Sequence, residues 1–139
     1  MKNVVLILLL FIQGVVNANI RAPRMVNIIN FVRQTEPRYA EVTDEVLFST
    51  TMAEIELLKK YELKGTFLLQ YDALIDTLYQ NLFKEPSNAS FEIGAWWEIT
   101  QPHVEACGMK WRGEYSWDWR ANVGFSTGYT PWEREKLVD

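Results

Sequence analysis

A chain of 139 residues has room for one ordinary domain. Its 14 basic and 18 acidic side chains give a net charge of −4, which argues against nucleic acid as a partner, because phosphate binding draws on a basic face. Cys107 is the single cysteine, so no internal disulfide is available and packing must hold the core.

Met1 to Ala18 has a charged start at Lys2, an apolar run from Val4 to Ile12 and the small-residue ending Val16-Asn17-Ala18. That pattern predicts a signal peptide over residues 1–18 and a secreted or periplasmic product. The apolar run is short for a bilayer span, so no stable membrane insertion is expected after cleavage. Losing Lys2 with the signal leaves 13 basic against 18 acidic groups, or −5.

Met25 to Val32 is a β-branched apolar run of strand length. Arg33 to Arg38 follows as a loop, with Pro37 holding the residue before it extended. A helix is expected within Thr43 to Tyr61. Thr51-Met-Ala-Glu54 reads as its capping box, and Met52, Ile55, Leu58 and Tyr61 as its buried face. Asp44 to Ser49 either extends this helix or forms a separate turn.

Gly65 to Tyr71 is the second strand. Ala73, Leu74, Ile75, Leu78 and Leu82 then trace a helical face. Pro86 to Ser90 is a polar break that contains the glycosylation sequon Asn88-Ala-Ser90. Phe91 to Thr100 is the third strand and the loop it enters. By alternation, Phe91, Ile93, Ala95 and Trp97 share one face, and Glu92, Gly94, Trp96 and Glu98 the other.

A helix around Gln101–Cys107 stops at Gly108. Met109 to Gly128 reads as a long structured loop. Thr130-Pro-Trp-Glu133 is a capping box with proline at the first helical position. All six tryptophans follow residue 95, a placement that suits flat-faced ligands such as sugars as well as core filling.

Strand and helix alternate three times, which predicts βαβ units and a parallel sheet. Three strands are too few to close a barrel, and a parallel sheet wants both faces covered. The chain therefore reads as the first part of something larger: a fragment, a truncated reading frame or one half of a split assembly.

Leu57-Leu-Lys-Lys-Tyr-Glu-Leu-Lys-Gly-Thr-Phe67 and Phe91-Glu-Ile-Gly94 resemble the polysaccharide deacetylase family and its wider glycoside hydrolase/deacetylase superfamily, over roughly Met25 to Gln101. Trp111-Arg-Gly to Thr130-Pro-Trp-Glu133 is similar to the N-terminal domain of secreted bacterial proteins of unknown function that carry the same barrel. The resemblance implies an α/β fold, a partial (β/α)7-type barrel with residues 19–139 as its N-terminal βα units. It also implies carbohydrate as the ligand.

Deacetylases of this family hold a metal through an Asp after the first strand and two His after the third. Here the His positions carry Trp96 and Thr100, and the first strand ends Asn30-Phe-Val-Arg33 without that Asp. His103 has no His or Cys neighbour in sequence. No metal and no cofactor are expected, and metal-dependent deacetylation is not.

Asp72 and Glu98 lie just past successive strands, at the rim where such barrels do chemistry. A carboxylate pair across a cleft is the equipment of glycoside hydrolysis. Asp72 reads first as a helix N-cap, ahead of a catalytic role. Trp96, Trp97, Trp117 and Trp119 are candidate sugar platforms, with Trp96 toward the pocket and Trp97 toward the core. Asp118 is a further ligand contact or a loop brace. Arg33 and Gln34 reach a hydroxyl-rich ligand, or Arg33 pairs with Glu98 as a structural ion pair.

The expected function is that of a glycoside hydrolase-like, carbohydrate-active barrel protein. The alternatives are a non-catalytic carbohydrate-binding module and an inactive truncated product. The expected partners are a carbohydrate and the remainder of the barrel.

Overall fold

The computed structural model describes residues 26–139. The predicted signal peptide and Met25 lie outside the described residues.

The first strand, β1, spans Ile29–Val32, shorter than the apolar run that contains it. Helix α1 spans Asp44–Lys60 and so takes in Asp44 to Ser49. Its N-cap is Thr43, whose hydroxyl accepts from Val46 N at 3.3 Å. The expectation of a capping box at Thr51 is corrected: Thr51 lies inside the helix, is 4% exposed and donates to Leu47 O. Thr43 wins because its backbone is extended and Asp44 and Glu45 occupy the first turn, where negative charge suits the helix dipole.

The buried face of α1 is Thr51, Ile55 and Leu58. Met52 and Tyr61, expected on it, are exposed. The helix closes with Glu62 in the left-handed region, φ 53°. Glu62 N then reaches Lys59 O at 3.0 Å and Leu63 N reaches Leu58 O at 2.8 Å, a Schellman closure with glutamate in the usual glycine position.

Strand β2 is Thr66–Leu69. The single helical face expected after it is corrected to two short helices, α2 (Tyr71–Ile75) and α3 (Thr77–Lys84). Asp76 breaks them with ψ 130° and accepts from Leu78 N at 2.7 Å, capping α3. The break turns Leu74, Ile75 and Leu78 to solvent and brings Tyr79 into the core at 2% exposure.

A 3-10 turn, Pro86–Asn88, leads to β3, Glu92–Ala95. Asn88 of the sequon is buried, with its Nδ2 donating to Leu82 O at 2.6 Å. Helix α4 is Gln101–Ala106, and Gly108 follows at φ 69° as the expected stop. Met109 to Gly128 is an ordered loop with two 3-10 turns, Arg120–Asn122 and Ser126–Gly128. Gly128 is obligatory there, since a Cβ would come 2.0 Å from Asn122 O. Helix α5, Pro131–Val138, opens with the complete Thr130/Glu133 capping box.

The fold is α/β. The strands pair in parallel in the order β1-β2-β3, with Val32, Leu69 and Ala95 in one register and Phe31, Leu68 and Gly94 in the next. Paired residues share a face. Val32, Phe67 and Leu69 face the helices and form the main core with Ile55, Leu58, Ala73, Tyr79 and Phe91. Ile99, Val104, Tyr129 and Leu137 form a second core under α4 and α5.

The opposite face carries Ile29, Phe31, Leu68 and Gly94. Ile29 is 46% and Phe31 57% exposed. That face is bare among the described residues. The expected burial of Ile93 and Trp97 is also corrected: they are 41% and 44% exposed, because β3 is an edge strand.

Candidate functional site

Alternation carries the bare face past the strand ends. Arg33 continues β1, Gln70 continues β2, and Trp96 and Glu98 continue β3, so four side chains arrive at the carboxyl edge of one sheet face. Backbone bonds hold this extension: Gln70 N reaches Val32 O at 2.9 Å and Trp96 N reaches Leu69 O at 2.8 Å.

Glu98, 7% exposed, is the centre of the cluster. Arg33 reaches its Oε2 at 3.2 Å and Gln70 Nε2 donates to the same oxygen at 2.8 Å. Burial pushes the Glu98 carboxyl up, against the pull of the Arg33 guanidinium.

Arg33 lies between two indoles, 4.7 Å from the Trp96 ring centre and 4.5 Å from that of Trp117. Arg38 stacks on Trp117 at 4.8 Å. Phe31 packs on Trp96 with centroids 4.4 Å apart. From Trp96 through Arg33 and Trp117 to Arg38 the result is a ladder of alternating rings and guanidinium groups joined by cation–π contacts. Tyr79 braces it from the core by donating to Arg33 O at 3.0 Å.

The structure thus joins Arg33, Trp96, Trp117 and Glu98, and separates the other candidates. Trp117 is 3% exposed and serves as a rung rather than an open platform. Trp119 is 48% exposed and lies 5.8 Å from the Arg38 guanidinium, at the outer end of the ladder. Gln34 donates to Asp76 at 2.7 Å, away from Glu98. Asp118 accepts from Glu114 N and Arg120 N, both at 2.9 Å, and braces the long loop. Those backbone donors hold its carboxyl below the usual range.

Asp72 is 3% exposed and sits in the first turn of α2, whose N-cap is Gln70. It accepts from Thr100 Oγ1 at 2.5 Å. His103 stacks on Tyr71 at 4.5 Å, with its Nε2 at 2.8 Å from Leu137 O. Among the described residues no group of three or more His, Cys, Asp and Glu is placed to hold a metal ion.

Burial, more than the Thr100 hydroxyl or His103, sets the Asp72 carboxyl above its ordinary 3.8. The folded state therefore holds this proton more tightly than the unfolded chain. The resulting stabilisation is complete below about pH 3.8 and is lost as pH rises through the folded pKa. Asp72→Asn is expected to remove that slope, leaving wild type and variant to diverge between pH 4 and 7 in urea-unfolding series. Parallel curves would show that Asp72 does not titrate this way.

Sequence reasoning missed three residues of the cluster. Gln70 was read as part of a strand, although its position matches Arg33 and Trp96 once the register is known. Glu36 and Arg38 lie in the loop after β1. Glu36 is 9% exposed, takes Arg33 at 3.0 Å and is gripped by Arg38 Nε at 2.5 Å. The readable signal was the run Arg33-Gln-Thr-Glu-Pro-Arg38 placed directly after a strand.

Comparison with protein-family models, with curated proteins and with solved structures finds nothing similar.

Proposed function

We propose that this chain forms the first βα units of a secreted, carbohydrate-active (β/α) barrel and that sugars bind at the carboxyl edge of its bare sheet face. In this reading it is glycoside hydrolase-like, with Glu98 as the general acid. The observation that carries it is the meeting of Trp96 and Glu98 beside Arg33 on that edge. An indole offers a sugar a flat apolar face, and a buried carboxyl with a raised pKa holds the proton a leaving group needs.

The barrel itself is supported by the sequential parallel order and by helices packed on one face only. Closing such a sheet would turn Phe31, Leu68 and Gly94 inward and put the Glu98 cluster at the mouth. The resemblance of Leu57–Phe67 and Phe91–Gly94 to the glycoside hydrolase/deacetylase superfamily points the same way.

Titrating the protein with soluble cello-, xylo- and chito-oligosaccharides, with tryptophan fluorescence as the readout, tests the site. Trp96→Ala is expected to weaken binding about ten-fold, or about 1.4 kcal/mol. Unchanged affinity in a folded variant would remove Trp96 from the site.

A second reading, a binding module without catalysis, is favoured by the engagement of Glu98 with both Arg33 and Gln70. Binding without product release supports it. Acetate release dependent on added zinc would overturn both readings.

A further inference from the structure

Three large apolar side chains stay exposed around one hollow. Leu74 on α2, Trp97 just past β3 and Val138 at the end of α5 are 41%, 44% and 66% exposed. All three line a single cavity of ≈ 590 Å³. They come from three separate elements, so no helical stripe or strand face accounts for their meeting. Trp96 and Tyr71 add two more flat walls. Small-molecule pockets fall in this size range, about 300–1,000 Å³, and are mostly apolar with a few placed polar groups.

His103 supplies the placed polar group. It is 7% exposed and its ring lines the cavity. Tyr71 covers one face of that ring, with centroids 4.5 Å apart and planes within 8°. Nε2 lies 2.8 Å from Leu137 O. A carbonyl oxygen only accepts, so Nε2 carries the hydrogen and the neutral ring keeps a lone pair on Nδ1. Nδ1 is buried and has no partner among the described residues. A buried acceptor without a donor costs stability, and such atoms are few in native proteins.

We propose that this cavity binds a neutral, planar aromatic molecule that carries a hydroxyl, its rings against Trp96 and Trp97 and its hydroxyl donating to His103 Nδ1. The walls set the chemistry. An indole offers a flat apolar face to stack on. The free lone pair on Nδ1 asks for a donor. Glu98 and Asp139 also line the cavity, and among the described residues no Lys or Arg does, so a carboxylate or phosphate on the ligand would meet like charge. A hydroxyl donates without bringing that charge. Trp96 also lines the hollow beside Phe31 and Arg33, but the inference does not rest on the carbohydrate reading.

The full chain is dialysed to equilibrium at neutral pH against 2-naphthol and against 2-methoxynaphthalene, which has the same rings without the donor. Alkylation of Cys107 by iodoacetamide is timed alongside, because this single thiol is half-buried and lines the same cavity. The expected result is that 2-naphthol binds about ten-fold tighter than its methyl ether. It should also slow the alkylation as the cavity fills. His103→Phe keeps a flat ring on Tyr71 and removes the acceptor, so the two affinities should come within about two-fold of each other. Leu74→Trp adds bulk at an exposed position and should weaken both probes about ten-fold, with an unchanged circular dichroism spectrum.

Equal affinity for the two probes in wild type would overturn the proposal. So would a preference that survives in folded His103→Phe, binding that leaves the Cys107 rate unchanged, or no binding of either probe up to its solubility. If His103→Phe does not fold, Leu74→Trp decides, and unaltered affinity there overturns the site. Sugars that fail to bind in the oligosaccharide titration would remove the carbohydrate reading and leave this cavity standing, and the reverse also holds.

Discussion

Arg33→Met is expected to destabilise the protein by about 3 kcal/mol, the low end of the cost of breaking a buried ion pair. The substitution keeps aliphatic volume between Trp96 and Trp117 and removes the charge. Glu36 retains Arg38, so its carboxylate stays paired. Glu98 keeps only the Gln70 amide, at 7% exposure. The Arg33 side chain is 19% exposed, and water reaching it is why the low end applies.

The sign with pH follows from Glu98. Without Arg33 its folded pKa rises further, so the variant regains stability as pH falls and Glu98 is protonated. Urea unfolding at pH 7 and pH 5 measures this, with a smaller deficit expected at pH 5. An equal deficit at both would show that the loss comes from the cation–π ladder rather than from an orphaned charge. Arg33→Lys separates them further, since an ammonium keeps the charge but not the fork or the flat stacking face.

Phe67→Ala is expected to cost about 3–5 kcal/mol. Phe67 is fully buried on the central strand, between the helices and the sheet. Its ring lies 5.2 Å from that of Phe83 and 5.4 Å from that of Phe91, so its loss opens a cavity three elements share. A domain of this size has about 5–15 kcal/mol in total. The melting temperature should fall by about 15–30 °C, followed by circular dichroism. A loss below about 1 kcal/mol would mean the cavity collapses, and that β2 is less central than its pairing indicates.

The capping boxes show what was legible in the sequence and what was not. Thr130-Pro-Trp-Glu133 was readable because all its partners lie within four residues and proline marks the first turn. Thr51-Met-Ala-Glu54 has the same spelling but sits inside a helix already begun at Thr43. A local pattern cannot report where a helix started.

The face expected from Ala73 to Leu82 failed for a related reason. Its apolar spacing runs through Asp76, and an aspartate that caps a new helix looks like a solvent-exposed one until the backbone bends there.

The cluster at the carboxyl edge of the sheet was legible where it followed strand alternation. Trp96 and Glu98 come from that rule alone, and Arg33 from its place directly after the first strand. Gln70 and Glu36 did not, because their importance lies in what they touch across the sheet. The ion pair between Arg33 and Glu98, one of the two roles the sequence allows for Arg33, is present. Asp72 also lies just past a strand, but its side chain turns to Thr100 and not to the Glu98 cluster.

The ladder also constrains how the protein comes together. Arg33 and Glu98 are 65 residues apart in the chain, and Arg38 must find Trp117 from farther still. Contacts across such long separations form slowly, after local turns and neighbouring strands. A nascent polypeptide released only as far as Ala95 could pair all three strands and still lack Glu98 and Trp117. The cluster of Arg33, Glu98 and Trp117 is therefore assembled last, after synthesis has passed the long aromatic loop.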